Sequence, residues 1–188
     1  MRPCYYLLVV LLTAACKQKK QEEPFVLKSS KDVSMVNDVA FHHQSLFTGF
    51  LFERDGSNQD TILLEQYKDG LLNGVCKKWY PNRQLMESRE YKSGRKNGKQ
   101  ISYWENGNKR FEFIARNDAY EGELKEWSVT GTLFHLAHFV NGQEEGTQKM
   151  WYDNGKIRAN YVIIKGKRYG LLGTKNCKNV SDSIFVVK

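Results

Sequence analysis

Apolar and polar residues alternate with a period of two through much of this chain. In the segment 157–163, the odd-numbered positions are apolar or aromatic, whereas Arg158 and Asn160 lie between them. The segment 133–139 repeats the pattern, with apolar residues at three of its four odd-numbered positions. Successive side chains of a strand point to opposite faces, so the alternation predicts antiparallel strands that bury one face.

Glycines recur every 24 residues in three separate series. The longest series is Gly74, Gly98, Gly122, Gly146 and Gly170. The second series is Gly70, Gly94, Gly142 and Gly166, with Asp118 on the same spacing. The third series is Gly107, Gly131 and Gly155, with Arg83 one period earlier. Three series on one period identify a repeat protein.

Each repeat is predicted to contain a hairpin. The segment "MWYDNGK" at 150–156 places an Asn-Gly pair between two strand-like runs. We predict a type I′ turn there, in which both central residues need positive φ. The equivalent pairs are Asn82-Arg83, Asn106-Gly107, Thr130-Gly131 and Asn154-Gly155. Polar segments with a glycine at each end, such as "GQEEG", are predicted to connect one hairpin to the next.

These features predict an all-β fold, in which antiparallel β-hairpins form an elongated array with one twisted sheet or solenoid. The predicted repeats span about 45–70, 71–94, 95–118, 119–142 and 143–166. Residues 25–44 are predicted to add an N-terminal cap and residues 167–188 a C-terminal cap, so the repeat domain runs over 25–188. Caps are expected because an array must cover its exposed ends.

Aromatic residues occupy two fixed positions in the repeat. The fifth position after the first glycine series holds Trp79, Tyr103, Trp127 and Trp151. We predict that this set packs in the core, because burying such a side chain contributes roughly 1.5–3 kcal/mol. Tyr80, Trp104 and Tyr152 follow at the sixth position and are predicted to point to the other face. These three residues are the candidate interaction surface, on which a glycan or a peptide would stack.

The first sixteen residues, "MRPCYYLLVVLLTAAC", differ from the rest of the chain. Arg2 precedes an apolar run over 5–15, which is too short to cross a ~30 Å bilayer core as a helix. Its length is that of a secretory signal. "LTAAC" resembles the bacterial lipobox, which implies a signal peptide over 1–15 and a lipid on Cys16. The alternative is an ordinary secreted protein in which Cys16 has no role.

Acylation of Cys16 would anchor the protein to a membrane, and residues 16–24 would form a polar tether. The expected location is the bacterial cell envelope, facing the periplasm or the surface. Lys17 after the cysteine favours the outer membrane in the resemblance to lipoproteins.

Two cysteines, Cys76 and Cys177, remain in the predicted folded part. They lie four repeats apart, which places them on the order of 40 Å from each other in an extended array. A disulfide needs Cα atoms within ~7 Å. We therefore predict two free thiols.

The sequence shows no catalytic motif, and we predict a non-catalytic protein without a cofactor or a metal. His135 and His138 are three residues apart, so in a strand they point to opposite faces and cannot share an ion. The same objection applies to the adjacent His42 and His43. The chain carries 29 Lys and Arg against 21 Asp and Glu. Acidic connectors interrupt the basic residues, so no continuous stripe favours nucleic acid as a partner.

The repeat resembles the MORN repeat in its bacterial variant form, over roughly 45–173. "YKDGLLNGVCKKWYPNR", "YKSGRKNGKQISYWENG" and "FVNGQEEGTQKMWYDNG" carry the resemblance, and Arg83, Asp118 and Ser128 depart from it. Bacterial proteins of this kind are grouped with YwqK-type antitoxins, which implies a secreted toxin as partner.

Three functions fit these observations. The main expectation is a membrane-anchored lipoprotein that presents a non-catalytic MORN-like sheet to a protein or an envelope surface. The second is an antitoxin or immunity protein of the YwqK type, which binds a toxin and covers its surface. The third is a binder of envelope glycans.

Overall fold

The chain folds entirely as β-structure in the part that the structure describes. A computed structural model describes residues 23–57 and 59–173, and every regular element in these ranges is a strand. Within the same ranges, no helix has the length and hydrophobicity needed to cross a membrane. The predicted signal peptide, Cys16 and Cys177 lie outside the described residues.

Sixteen strands follow one another in these ranges. They are β1 (Phe25–Leu27), β2 (Val33–Val36), β3 (Val39–His42), β4 (Ser45–Leu46), β5 (Gly49–Arg54), β6 (Thr61–Lys68), β7 (Leu71–Leu72), β8 (Gly74–Trp79), β9 (Leu85–Lys92), β10 (Arg95–Tyr103), β11 (Lys109–Arg116), β12 (Ala119–Trp127), β13 (Leu133–Val140), β14 (Gln143–Trp151), β15 (Ile157–Ile164) and β16 (Lys167–Leu171).

The strands form one long sheet and one small sheet. The long sheet has 13 strands, in the order β1-β5-β6-β8 and then consecutively from β9 to β16, with β7 also paired to β6. Only β1 is parallel to its neighbour, and the other pairs of this sheet are antiparallel. The small sheet has the order β2-β3-β4. The predicted antiparallel hairpin array is confirmed, and the long sheet is open rather than closed.

The two faces of the long sheet differ in chemistry. One face, called the buried face below, carries most of the core residues. In β11 to β16 these are Phe113, Ala115, Ala137, Gln148, Ala159, Tyr161 and Ile163. The other face, called the charged face, carries ion pairs such as Lys99–Glu112 at 3.1 Å and Lys125–Glu123 at 2.7 Å. The alternation seen in 133–139 and 157–163 is confirmed, because Ala137, Ala159 and Tyr161 are all buried.

The loops with the Asn-Gly pairs are longer than predicted. In the loop 152–156, the Gly155 N–H donates to the Tyr152 carbonyl and the Tyr152 N–H donates to the Lys156 carbonyl. Gly155 has φ of 76°, and Asn154 is not among the residues with positive φ. The prediction of a type I′ turn is therefore wrong, since this hydrogen bonding belongs to a type I turn followed by a glycine bulge. The Asn154 side chain instead accepts a hydrogen bond from the Lys156 N–H at 3.0 Å.

The turns at the opposite end of the repeats have the type I′ character. Asn141 and Gly142 both have positive φ, at 50° and 81°. The equivalent turns are Asp69-Gly70, Ser93-Gly94, Asn117-Asp118 and Lys165-Gly166. In four of these turns the N–H of the second residue also donates to a carbonyl just after the preceding tight turn, as in Gly142 N–H to the Tyr120 carbonyl at 2.9 Å. Each "GxxxG" segment thus begins at the second residue of a tight turn and continues into a strand, so its interpretation as a separate connector is wrong.

In β10, β12 and β14 the glycine of the longest series, Gly98, Gly122 or Gly146, lies in a β-bulge, whereas Gly170 pairs with Tyr161 in regular register. In the β13–β14 pair, Ala137 faces Gln148 and Phe139 faces Glu144, so three residues of β14 lie opposite His138. The bulge leaves the His138 carbonyl available, and the buried Gln148 side chain donates its amide Nε2–H to this oxygen at 2.8 Å. Gln100, two repeats earlier, makes the same bond to the Glu90 carbonyl at 2.8 Å. The sequence does not show this polar contribution to the core.

The fifth-position aromatics lie at the strand ends and are half-buried. Trp79, Trp127 and Trp151 are each the last residue of a strand. The prediction that these residues form the core is wrong, because the core residues are those of the buried face. The register shifts next to each strand end, for example between Met150 and Trp151, and moves the ring out of the buried row.

A separate core joins the N-terminal segment to the long sheet. It consists of Ala40 from β3, Phe47, Leu51 from β5 and Tyr67 from β6. Val26, Val33 and Leu72 pack against these residues. Gly70 also contributes, because its carbonyl accepts the Ala40 N–H at 2.7 Å. This core attaches the small sheet to the first hairpin of the array.

Candidate interaction surface

Four aromatic side chains form a continuous row on the buried face at the middle of the array. The row is Phe111, Phe113, Tyr120 and Phe139, and it spans the strands β11, β12 and β13. Successive ring centroids are 5.8 Å, 4.5 Å and 4.9 Å apart. Phe113 is 9 % exposed, whereas Tyr120 is 39 % exposed. We call these four residues the aromatic row; it offers a packed but accessible apolar surface.

A charged cluster lies beside the Phe111 end of the row. Glu87 accepts hydrogen bonds from Arg89, with Nη2 at 2.8 Å and Nε at 2.9 Å, and pairs with Lys78 at 3.2 Å. The Arg89 guanidinium also lies 5.4 Å from the centre of the Phe111 ring, a cation–π distance. Burial alone raises the pKa of Glu87, but the hydrogen bond and charge of Arg89, helped by Lys78, outweigh burial and lower this pKa overall. Glu87 is therefore an anion at neutral pH.

A second polar pair borders the row on the next strands. Phe111 faces Glu126 across the β11–β12 pair, and Glu126 faces His135 across the β12–β13 pair. The His135 Nδ1 lies 2.7 Å from the Glu126 Oε2, and the His135 side chain is 16 % exposed. His135 is therefore held within the sheet by a carboxylate. The aromatic row thus has a charged or polar group on two sides.

Two of the predicted surface residues make contacts between repeats. Tyr80 and Trp104 lie in the loops 80–84 and 104–108 rather than on strands. The Tyr80 hydroxyl donates to the Tyr103 carbonyl at 3.0 Å, and the Trp104 Nε1–H donates to the Trp127 carbonyl at 3.0 Å. Both side chains are half-buried. These bonds link each loop to the next repeat, which gives the two residues a structural role.

Tyr152, the third predicted surface residue, is 52 % exposed and lies in the loop 152–156. The structure does not bring the three residues into one row on a sheet face, because each begins a separate loop. By equivalence with Tyr80 and Tyr103, the acceptor for the Tyr152 hydroxyl would be the carbonyl of Lys175. That residue lies outside the described residues. The binding role of Tyr80, Trp104 and Tyr152 remains a prediction.

Of the two pairs of histidines, one is arranged as the sequence predicts and the other is not. His135 and His138 bind separate partners, since His138 Nδ1 lies 2.9 Å from the Glu145 carbonyl oxygen. For His42 and His43 the expectation of opposite faces is wrong, because their ring centroids are only 4.2 Å apart. His43 follows the end of β3 in a tight turn with φ of 48°, and strand alternation does not apply there.

Cys76 is a buried free thiol on the buried face. Burial raises the pKa of this thiol to about 11. Because the thiolate is the reactive form, Cys76 is chemically inert at neutral pH. It has a packing role and is not a candidate nucleophile.

The aromatic row does not follow from the sequence pattern alone. Phe111, Phe113 and Phe139 have the parity of the buried face, which the alternation indicates. Tyr120, however, lies directly after the turn 117–118, in the part of β12 that precedes the bulge. The bulge changes the strand register, so the contact of Tyr120 with two phenylalanines does not follow from repeat spacing.

A comparison with protein-family models matches the MORN repeat variant at residues 96–114 and 144–161. The two matched segments begin 48 residues apart, or two repeat periods, and each contains a bulged strand and most of the strand that follows it. No curated protein matches the chain significantly. MORN repeats are generally modules for interaction with proteins or membranes, and the family is non-catalytic.

Proposed function

Because the chain carries MORN-variant repeats, we propose that it is a membrane-anchored lipoprotein that binds a protein partner in the bacterial envelope. The observation that supports binding is the aromatic row, with Tyr120 exposed between two phenylalanines on an open sheet. Exposed, packed aromatic side chains are typical of interaction sites. The lipobox-like segment that ends at Cys16 supports the anchor.

The chemistry of the aromatic row favours a particular kind of segment on the partner. Apolar or aromatic side chains of the partner would pack against Tyr120 and Phe139, where apolar surface is available. Arg89 and Glu87 lie at one end, and Glu126 and His135 lie beside Phe111. A segment with an apolar centre and charged flanking residues would complement this surface, because charge complementarity at the rim orients a complex.

Replacement of Tyr120 by alanine is expected to weaken partner capture strongly. A central aromatic residue of an interface contributes at least ~2 kcal/mol, which corresponds to roughly a 30-fold loss of affinity. The measurement is a pull-down from envelope extract with the array as bait, followed by titration of the captured protein. Tyr169→Ala is the matched control, since Tyr169 is 55 % exposed and lies on the charged face in β16.

Capture that is equal for the wild type and Tyr120→Ala would exclude the aromatic row as the binding surface. The identity of the captured protein distinguishes the membrane-anchored lipoprotein that binds a protein partner from the antitoxin of the YwqK type. A secreted toxin whose activity the array blocks would favour the antitoxin. Retention on purified peptidoglycan that Trp104→Ala abolishes would instead favour the glycan binder.

The anchor has its own test. Cys16→Ala removes the thiol that would carry the lipid, so the variant is expected to move from the membrane fraction to the soluble fraction. The measurement is immunoblotting of membrane and soluble fractions of cells that express the full chain. Cys177→Ala is the matched control and should leave the distribution unchanged. A Cys16→Ala variant that stays in the membrane fraction would exclude the lipid anchor.

A further inference from the structure

Three potential metal ligands meet at one end of the small sheet. They are Asp32, His42 and His43, and each offers a ligand atom within 4.8 Å of those of the other two. We propose that these residues form a binding site for a divalent transition metal such as Zn²⁺. The site lies at the N-terminal part of the fold and uses no residue of the aromatic row, so it is independent of the proposed function.

The backbone brings the three residues together. Val33 faces His42 in the antiparallel pair of β2 and β3, so Asp32 lies just before β2 and His43 just after β3. The His43 N–H donates to the Asp32 carbonyl at 2.9 Å, which joins the two chain segments at the position of the side chains. His43 and Gln44 both have positive φ, at 48° and 63°, and form the tight turn into β4. This turn directs the His43 ring toward the His42 ring.

The side chains already lie close to one another. The His43 Nδ1 is 3.6 Å from the Asp32 Oδ1, and the two imidazole ring centroids are 4.2 Å apart. His42 is half-buried, and its ring packs edge-on against Phe47, with the centroids 5.8 Å apart. His42 is thus held by the core, whereas Asp32 and His43 are exposed.

Two imidazoles and one carboxylate are a ligand set that selects among metals. Zn²⁺ binds His nitrogen and Asp oxygen at about 2.0–2.2 Å, so modest side-chain rotations from the observed positions would complete the site. Nitrogen donors favour Zn²⁺, Co²⁺, Ni²⁺ or Cu²⁺ over Mg²⁺ and Ca²⁺, which prefer oxygen ligands. Three protein ligands leave at least one coordination position open for water or for a side chain of a partner.

The test is calorimetric titration of Zn²⁺ into the purified chain at neutral pH, followed by the same titration with Asp32→Asn and His43→Asn. Asn is chosen at 43 because it tolerates positive φ and does not distort the turn. Each variant is expected to bind Zn²⁺ at least ~10-fold more weakly, since losing even a supporting residue of a metal site costs 10–100-fold. Asp38→Asn is the matched control, because Asp38 is an exposed carboxylate in the other tight turn of the same sheet, and it should leave the affinity unchanged.

A second measurement identifies the ligand atoms. The absorption spectrum of the Co²⁺ complex should be that of nitrogen and oxygen ligands, without a thiolate charge-transfer band. The absence of this band would exclude Cys76 and Cys177 as ligands. Far-UV circular dichroism of each variant should match the wild type, so weaker binding would not reflect unfolding. The proposal would be overturned by the absence of Zn²⁺ binding to the wild type, by unchanged binding in both variants, or by a thiolate band.

Discussion

Leu51→Ala is expected to lower the free energy of unfolding by about 3 kcal/mol. Leu51 has 0 % exposure and lies among Ala40, Phe47 and Tyr67. Truncation of a fully buried leucine removes its burial energy and leaves a cavity, and together these cost roughly 2–5 kcal/mol. The measurement is urea unfolding followed by circular dichroism.

The same substitution should also loosen the small sheet. Ala40 belongs to β3, and its contact with the Leu51 core attaches this sheet to the first hairpin. Amide hydrogen exchange in 33–46 should therefore accelerate more than in β13 to β15, because stability in a repeat array is transmitted mainly between neighbours.

Leu46→Ala provides the matched control for Leu51→Ala. Leu46 lies in the same region but is 54 % exposed, so its truncation should change the stability by less than about 0.5 kcal/mol. Equal effects of the two substitutions, or a loss below ~1 kcal/mol for Leu51→Ala, would contradict the assignment of this core.

Arg89→Ala is expected to lower the free energy of unfolding by about 2 kcal/mol at neutral pH. The Glu87 side chain is only 16 % exposed, and the substitution would remove its two shortest hydrogen bonds. A carboxylate left without its main partner in a largely buried position is costly. Loss of the cation–π contact between the guanidinium and the Phe111 ring adds a smaller loss of stability. Thermal or urea unfolding measures the difference.

The pH dependence distinguishes this mechanism from a loss of packing. The folded-state pKa of Glu87 is lowered from its ordinary value of 4.5. A group with a lowered folded pKa contributes stability above its unfolded pKa, and this contribution is lost as the pH falls through the folded pKa. In Arg89→Ala the lowering by the guanidinium is lost and only Lys78 still opposes burial, so the pKa of Glu87 is higher than in the wild type and protonation relieves the penalty at higher pH. The stability difference between wild type and variant should therefore shrink as the pH is lowered from 7 to about 3.

An exposed arginine serves as the control for Arg89→Ala. Arg95 is 4.0 Å from Asp118, and its side chain is 65 % exposed. Arg95→Ala should change the stability by less than about 1 kcal/mol, because exposed ion pairs contribute little. A stability difference for Arg89→Ala that stays constant from pH 7 to about 3 would show that Glu87 is not its source.

The sequence predicted the hairpin array because the required signals are local. Glycine spacing and the alternation at 157–163 depend only on backbone conformation and on which face a strand buries. The type of each turn was not predictable from the Asn-Gly pair alone, since Asn154-Gly155 and Asn141-Gly142 have similar sequences but different φ values at the asparagine. The number of residues between the paired strands decides the turn type, and this number depends on the register.

The candidate sites depend on contacts between strands. Tyr120 meets Phe113 and Phe139 because the bulge in β12 changes which residues are neighbours. His43 meets His42 and Asp32 because a tight turn interrupts the alternation of β3. The bulge falls at Gly122 of the periodic glycine series, but the glycine spacing does not show which side chains meet across the bulge. The turn at His43 and Gln44 lies outside that series.

The amino-acid sequence by itself determined the repeat length, the antiparallel hairpins and the parity of the buried face. These properties follow from backbone preferences and from alternation within single strands, both of which are short-range. Only the tertiary structure decided that Trp104 links neighbouring repeats, that Gln148 satisfies a carbonyl in the core, and that Tyr120 lies exposed in an aromatic row. Each of these contacts joins residues from different strands or from a loop and a strand, so bulges and turns set it through the register.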